Sequence, residues 1–271
     1  MGNCINRMWK HLAVTEVANE EPDSEKKTVL PNMTKEMEKA INSYLNAPLS
    51  QKLVEAYNIP ITRKDLDTLR GSNWLNDEII NFYMEMIVER SKNNKKEKYP
   101  NISNDWANVY AMNTFFLPKL RTKGYSAIKR WTRKVDIFSF DKILVPVHLD
   151  WPGLEPPLGH WCLAIIDLKK KGIYFYDSRG SNNNDILNKL LEYLRQEHMD
   201  KKKIDFDTSG FELENVKNIP GQTQEGDCGM FTLKYAEYLS RNASITFTQE
   251  DMPYFRRRIV YEIVNNKVIY P

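Results

Sequence analysis

The chain has 271 residues, enough for one large domain or two small ones with a sizeable core, which excludes a mini-protein held together by disulfide or metal staples. Its 39 Lys plus Arg against 36 Asp plus Glu leave a formal net charge of +3, without the one-sided field of a dedicated nucleic-acid or membrane-surface binder. Three cysteines, Cys4, Cys162 and Cys228, match neither a disulfide framework nor the C-x-x-C spacing of a zinc clamp.

Such sparse cysteine usage suits a reducing compartment, where a free thiol is either a small buried hydrophobe or a working nucleophile. No apolar run approaches the roughly 18 residues of a spanning helix, and the start of the chain lacks the apolar stretch of a secretory signal. A soluble, intracellular chain is expected. Met1-Gly2-Asn3-Cys4-Ile5-Asn6 resembles a myristoylation start beside a palmitoylatable Cys4, although Asn6 stands where that pattern wants Ser or Thr. Membrane association is expected only if that start is lipidated.

Residues 13–29 are polar and poor in large apolar side chains, so they read as a flexible leader, and residues 1–29 are assigned to it. The folded domain is expected from about Leu30 to the C-terminus. Met37, Ile41, Tyr44 and Leu45 then recur at helical spacing, with Thr34 and Glu38 among the polar residues at the start. Asp77 to Arg90 places Ile79, Ile80, Tyr83, Met86 and Ile87 on one stripe behind the capping candidates Asn76 and Asp77, a helix packed on a core. Lys92 to Lys98 reads as a loop. Asn113 to Leu120 and Tyr125 to Trp131 follow as short amphipathic pieces separated by Gly124.

Three β-type runs come next, Ile143 to Leu149, Trp161 to Leu168 and Ile173 to Tyr176, the last two joined by the hairpin-like turn Lys169-Lys170-Lys171-Gly172. Asn184 to Glu197 reads as a helix and Phe211 to Val216 as a weak strand. Two helices close the chain, from about Cys228 to Ser240 and from about Thr248 to Asn265, with Pro253 tolerated in the opening turn of the second. Strands in the middle with helices at both ends argue for an α+β fold.

Gly226-Asp227-Cys228-Gly229 precedes the apolar pattern of a buried helix, so Cys228 falls at a helix N-terminus. Free amide N–H groups and the macrodipole there favour thiolate over thiol. A thiolate nucleophile needs a base, and His160 opens the strand from Trp161. Asp177 ends the partner strand of the same hairpin, and antiparallel pairing brings both to one sheet edge, where a carboxylate can orient an imidazole. Taken alone, Asp177 fits a local turn equally well. Cys162 shares the face of His160 but reads as core filling, because side chains two apart along a strand diverge. Gln222, in the turn-rich run Ile219-Pro220-Gly221-Gln222, offers an amide donor for an oxyanion, although taken alone it fits a solvated loop glutamine better. The basic runs Lys169–Lys171, Lys201–Lys203 and Arg256–Arg258 read as solvated faces, and no nucleic-acid partner is expected.

Gly159-His160-Trp161, Tyr176-Asp177-Ser178, Gln222 and Gly226-Asp227-Cys228-Gly229-Met230-Phe231 together resemble the sentrin/SUMO-specific cysteine proteases of the ubiquitin-like-protein protease family, relatives of adenovirus protease. The resemblance runs from about Leu30 to the C-terminus and takes in Asn73-Trp74-Leu75-Asn76-Asp77, Lys129-Arg130-Trp131-Thr132 and Met252-Pro253-Tyr254-Phe255-Arg256. It implies a papain-like, adenain-like fold, a central mostly antiparallel sheet flanked by helices, with residues 30–271 as the catalytic domain. It further implies Cys228 as nucleophile, His160 as general base, Asp177 as its orienter and Gln222 as oxyanion donor. Trp74 and Trp161 match two tryptophans that close over the glycine tail of the substrate, while Asp77 and Arg130 match contacts with the SUMO body. Cleavage after the terminal Gly-Gly of SUMO follows, from target lysines and from precursor, by a nuclear monomer needing no metal or cofactor. A cytoplasmic or membrane-associated pool stays open. So do a protease for ubiquitin or a NEDD8-type modifier and a silent SUMO-binding module. The segment Leu149 to Gly159 is longer than the family's usual connection and leads directly into His160.

Overall fold

The computed structural model describes residues 30–93, 106–150 and 159–269. The expected leader, with Gly2 and Cys4, lies outside these residues, as do most of the Lys92–Lys98 loop and of the Leu149–Gly159 connection.

α1 (Lys35–Leu45) starts where Thr34 Oγ1 accepts from the Met37 amide at 3.2 Å, and it turns Ile41 inward. Leu30 and Met33 pack against the same core. A hairpin absent from the sequence reading follows, β1 (Lys52–Ala56) paired antiparallel with β2 (Ile59–Thr62). Its turn residues Tyr57 and Asn58 have φ of 57° and 61°, the left-handed pair of a tight hairpin turn made without the glycine that usually announces one. α2 (Arg63–Asp67) opens on a capping box between Thr62 and Asp65.

α3 (Asp77–Asn93) begins as its capping candidates require, with Asn76 Oδ1 accepting from the Ile79 amide at 3.2 Å. β3 (Val109–Ala111) is a three-residue strand too short to show a period, and α4 (Phe116–Lys123) ends at Gly124. The three expected strands appear as β4 (Lys142–Asp150), β5 (Gly159–Asp167) and β6 (Gly172–Tyr176). α5 (Asn184–Lys202) runs a turn further than expected, and β7 (Glu212–Asn215) occupies the weak strand. α6 (Cys228–Ser240) has the anticipated ends, and α7 (Met252–Val264) follows a 3-10 turn over Gln249–Asp251.

The main sheet runs β3-β4-β5-β6-β7. Its long central ladders, β4 with β5 and β5 with β6, are antiparallel, and the short edge ladders are parallel. Both faces of β5 are apolar because helices cover both sides. Trp161, Leu163 and Ile165 join the core beneath α3, α6 and α7, whereas Cys162, Ala164 and Ile166 join the core beneath α4 and α5. Each fully buried aliphatic side chain contributes about 1.5–3 kcal/mol, so the strand that carries His160 is held rigidly from both sides. This is the α+β, helix-flanked and mostly antiparallel arrangement expected.

Candidate active site

His160 is the second residue of β5, and Asp177 directly follows β6. The ladder pairs Leu163 with Tyr176, so one step further Asp177 falls opposite Cys162, with His160 two residues along on the same face. Strand alternation thereby gathers His160, Cys162 and Asp177, whose nitrogen, sulfur and carboxylate oxygen atoms all lie within 4.8 Å of one another. His160 Nε2 stands 2.6 Å from Asp177 Oδ1, both side chains being 1% exposed.

Asp177 is fixed from a second side, accepting from the amides of Arg179 at 2.8 Å and Ser181 at 3.2 Å. Burial opposes its charge, but the His160 hydrogen bond and these amides prevail and hold its carboxyl below the usual carboxylate range. Burial likewise opposes a charged His160. The hydrogen bonds to Asp177 and Cys228, with the charges behind them, outweigh it and raise the imidazole to about 9. At neutral pH His160 therefore carries its proton beside the Asp177 carboxylate.

Cys228 is the first residue of α6 and is 2% exposed. The turn before it needs its glycines. Gly226 has φ of 86°, and a Cβ there would lie 1.8 Å from the Ser72 carbonyl oxygen and 3.4 Å from Trp74 Cδ1. A Cβ at Gly229 would meet Leu75 Cβ at 2.9 Å. The loop Ser72–Leu75 thus lies directly on the start of α6. Trp161 reaches the same loop from β5, its Nε1 donating to the Leu75 carbonyl at 2.9 Å. Trp74 is half-buried and Trp161 fully buried. The structure accordingly brings both tryptophans to one loop beside Cys228.

Gln222 is pinned to the residue after Asp177. Its Oε1 accepts from Ser178 Oγ at 2.7 Å, its backbone amide donates to the Ser178 carbonyl at 2.9 Å, and its Nε2 donates to the Gln224 carbonyl at 3.1 Å. Cys162 comes closer to His160 and Asp177 than strand spacing alone suggests, because Asp177 faces it across the ladder. Burial first, and then the negative charge of Asp177, push its thiol well up, so it stays protonated and unreactive among the apolar side chains of the α4–α5 core. A protonated thiol beside a mutually bonded His–Asp pair is a poor set of metal ligands.

The two remaining expected substrate contacts lie on different parts of the molecule. Asp77, half-buried, is the first residue of α3. Arg130 is exposed on the turn after Ile128, which packs into the core on the other side of the sheet from α6. Sequence reasoning also passed over His148, which pairs with Trp161 in the β4–β5 ladder at 4.6 Å between ring centroids. Its Nε2 would lie 2.0 Å from a Cβ at Gly159. Gly159 was the available signal, but only a known register connects it with His148.

Comparison with known proteins places this geometry. The model of the Ulp1 protease family, C-terminal catalytic domain, matches residues 73–268. A sentrin-specific protease of Caenorhabditis elegans is 47% identical over 220 residues, covering 81% of this chain and 29% of the relative. Sentrin-specific protease 2 of Homo sapiens is 42% identical over 243 residues, covering 89% of this chain and 38% of the relative. The chain thus spans about a third of the length of these relatives. Among solved structures, the C-terminal Ulp1 protease domain in complex with Smt3, the yeast ortholog of SUMO, is similar with a TM-score of 0.71 at 30% identity, over 88% of this chain and 98% of that one. Ulp1 with its catalytic cysteine oxidized to a sulfenic acid is similar with a TM-score of 0.70 at 32% identity, over 87% of this chain and 96% of that one.

Proposed function

Because this chain belongs to the Ulp1 protease family, we propose that it is a SUMO-specific thiol protease that cuts after the terminal Gly-Gly of SUMO, as an isopeptidase on lysine conjugates and an endopeptidase on precursor. The observation that carries the reading is the His160 Nε2–Asp177 contact of 2.6 Å, with His160 raised by Asp177 first and then by Cys228 at the head of a helix. In this reading the Cys228 thiolate attacks the glycine carbonyl carbon, forming the C–S bond. The Cys228 amide and Gln222 Nε2 receive the oxyanion. His160 then gives its proton to the departing amine as the C–N bond breaks, and the neutral imidazole next takes a proton from the water that hydrolyses the thioester.

Trp74 and Trp161, gathered on the loop against Cys228, serve as walls of a slot that admits only glycine. Asp77 and the exposed Arg130 take, in this reading, the contacts with the folded modifier rather than with its tail. The complex of the related Ulp1 domain with Smt3 supports SUMO as that modifier. A nuclear location, a monomeric state and the absence of a nucleic-acid partner belong to the same reading, and fractionation of cells and sedimentation of the pure protein test them.

The decisive experiment compares release of a C-terminal fluorophore from SUMO, ubiquitin and other ubiquitin-like modifiers by the wild type and by Cys228→Ala. The proposal expects fastest release from SUMO and none from the variant. Fastest release from ubiquitin overturns the substrate, and binding of SUMO without cleavage points to a silent binding module.

A further inference from the structure

Asp227 immediately precedes α6, where an Asp carboxylate ordinarily turns back to accept from the second or third backbone N–H of the helix. Here it makes no such bond. The residue has φ of −89° and ψ of −4°, helical values rather than the extended ones of a capping residue. Its carboxylate is directed at the chain around α7 instead. Oδ1 accepts from Arg256 Nε at 2.8 Å and lies 2.7 Å from Arg256 Nη2, and Oδ2 accepts from Gln249 Nε2 at 2.6 Å. Arg256 reaches further, with Nη2 donating to the Gly226 carbonyl at 2.8 Å and Nη1 to the Thr68 carbonyl at 3.2 Å. Asp227 and Arg256 are each 3% exposed.

We propose that Arg256, assisted by Gln249, is a positioning residue for Cys228: by taking the Asp227 carboxylate it reserves the first-turn N–H groups of α6 for the thiolate and the oxyanion. The inference rests on the thiol-protease reading and adds to it a residue of α7 that acts through Asp227 and Gly226. Its physical basis is competition. A carboxylate and a thiolate side by side at one helix start seek the same amide donors and the same end of the macrodipole. Without the guanidinium, a buried Asp227 keeps only the Gln249 amide as a side-chain donor, and the first-turn N–H groups are the donors that an Asp at a helix start ordinarily takes. A planar fork suits the task, because one guanidinium meets the carboxylate and two backbone carbonyls together, which an ammonium cannot reproduce.

The test is Arg256→Gln, read by turnover of SUMO–fluorophore and by the rate at which iodoacetamide alkylates Cys228, located by peptide mass spectrometry. Alkylation needs no substrate, so a wrong substrate assignment leaves that readout intact. The expected result is a kcat lower by about 10²-fold, KM changed by no more than about threefold, and alkylation slower by about tenfold. Adding Asp227→Ala to Arg256→Gln should restore most of both rates, since no carboxylate remains to compete. A merely structural arginine would not be rescued by a second truncation. Should Arg256→Gln fail to fold, Gln249→Leu removes the donor to Asp227 along with the acceptor of the Thr223 amide and leaves the guanidinium pair, and alkylation should slow by about threefold at an unchanged melting temperature. A folded Arg256→Gln with wild-type kcat and alkylation overturns the proposal. So does a double variant no faster than Arg256→Gln, or a Gln249→Leu alkylated at the wild-type rate.

Discussion

At its first turn α6 holds Cys228 against His160 and Asp177; in its last turns Glu237 lies among Arg90, Lys234 and Arg241 at 2.7, 3.1 and 2.9 Å. Both clusters are buried and both hold an ionised carboxylate. Burial opposes the Glu237 charge, yet Lys234, Arg90 and Arg241 outweigh it and hold the carboxyl far below the usual range. Arg241 also sits at the C-terminal cap of α6, where the helix dipole is negative, so the Glu237 charge is balanced within the network. The first-turn cluster differs in kind, because it sets a thiol beside an imidazole whose proton can leave. Buried charge alone does not make a reactive centre. A thiol beside an imidazole that a third group orients does.

Four experiments break or sharpen that contrast. Cys228→Ala should cost about 10⁵- to 10⁶-fold in kcat, with a melting temperature within about 5 °C of wild type; measurable turnover would move the nucleophile elsewhere. Asp177→Asn should lower kcat by about 10⁴-fold. It should also displace the alkaline limb of the pH–rate profile to lower pH, because Asp177 helps to raise His160. In the wild type His160 keeps its proton below about 9, so activity falls as pH rises through that value. The same shift has a stability sign. The contribution of raised His160 is full below its ordinary value and lost as pH rises through about 9, whereas that of depressed Asp177 is lost on acidification. Denaturant titrations at several pH values would follow both.

At the other end of α6, Glu237→Gln leaves buried cations without their counter-ion and should destabilise by about 3–5 kcal/mol. Activity per folded molecule should hold. Urea unfolding beside active-site titration separates the two, and a variant that keeps its stability but loses turnover would erase the contrast. Of the three active-site variants Gln222→Ala should be mildest, lowering kcat by about 10²- to 10³-fold with little change in KM, as removal of one oxyanion donor does.

Much of this arrangement was legible in the residues. Cys228 at a helix start follows from a glycine-bounded turn running into an apolar helical pattern, and α6 begins there. His160 and Asp177 come together because a hairpin brings the start of one strand beside the end of the next. Gln222 carries a weaker signal, and its placement by Ser178 emerges only in the fold. The β1–β2 hairpin was missed because Tyr57-Asn58 makes its turn without glycine, and β3 because three residues cannot display a period. Arg256 passed as one of a basic run on a solvated face, yet it is buried against Asp227. Nothing local distinguishes it from Arg257, which is partly exposed.

What the residues alone determined is periodic and local: the helix and strand stretches, the turn that presents Cys228, the hairpin that pairs a base with an acid. Their cause lies within a few residues along the chain, where apolar spacing, caps and glycines act. Tertiary structure alone decided which distant groups meet. Trp161 bonds Leu75 across 86 positions, Arg256 reaches Asp227 across 29, and the Ser72 carbonyl lies where any side chain at Gly226 would stand. Those contacts arise from strand register and from the stacking of helices on two faces of one sheet, and such packing between segments far apart in the chain leaves no periodic trace in either segment.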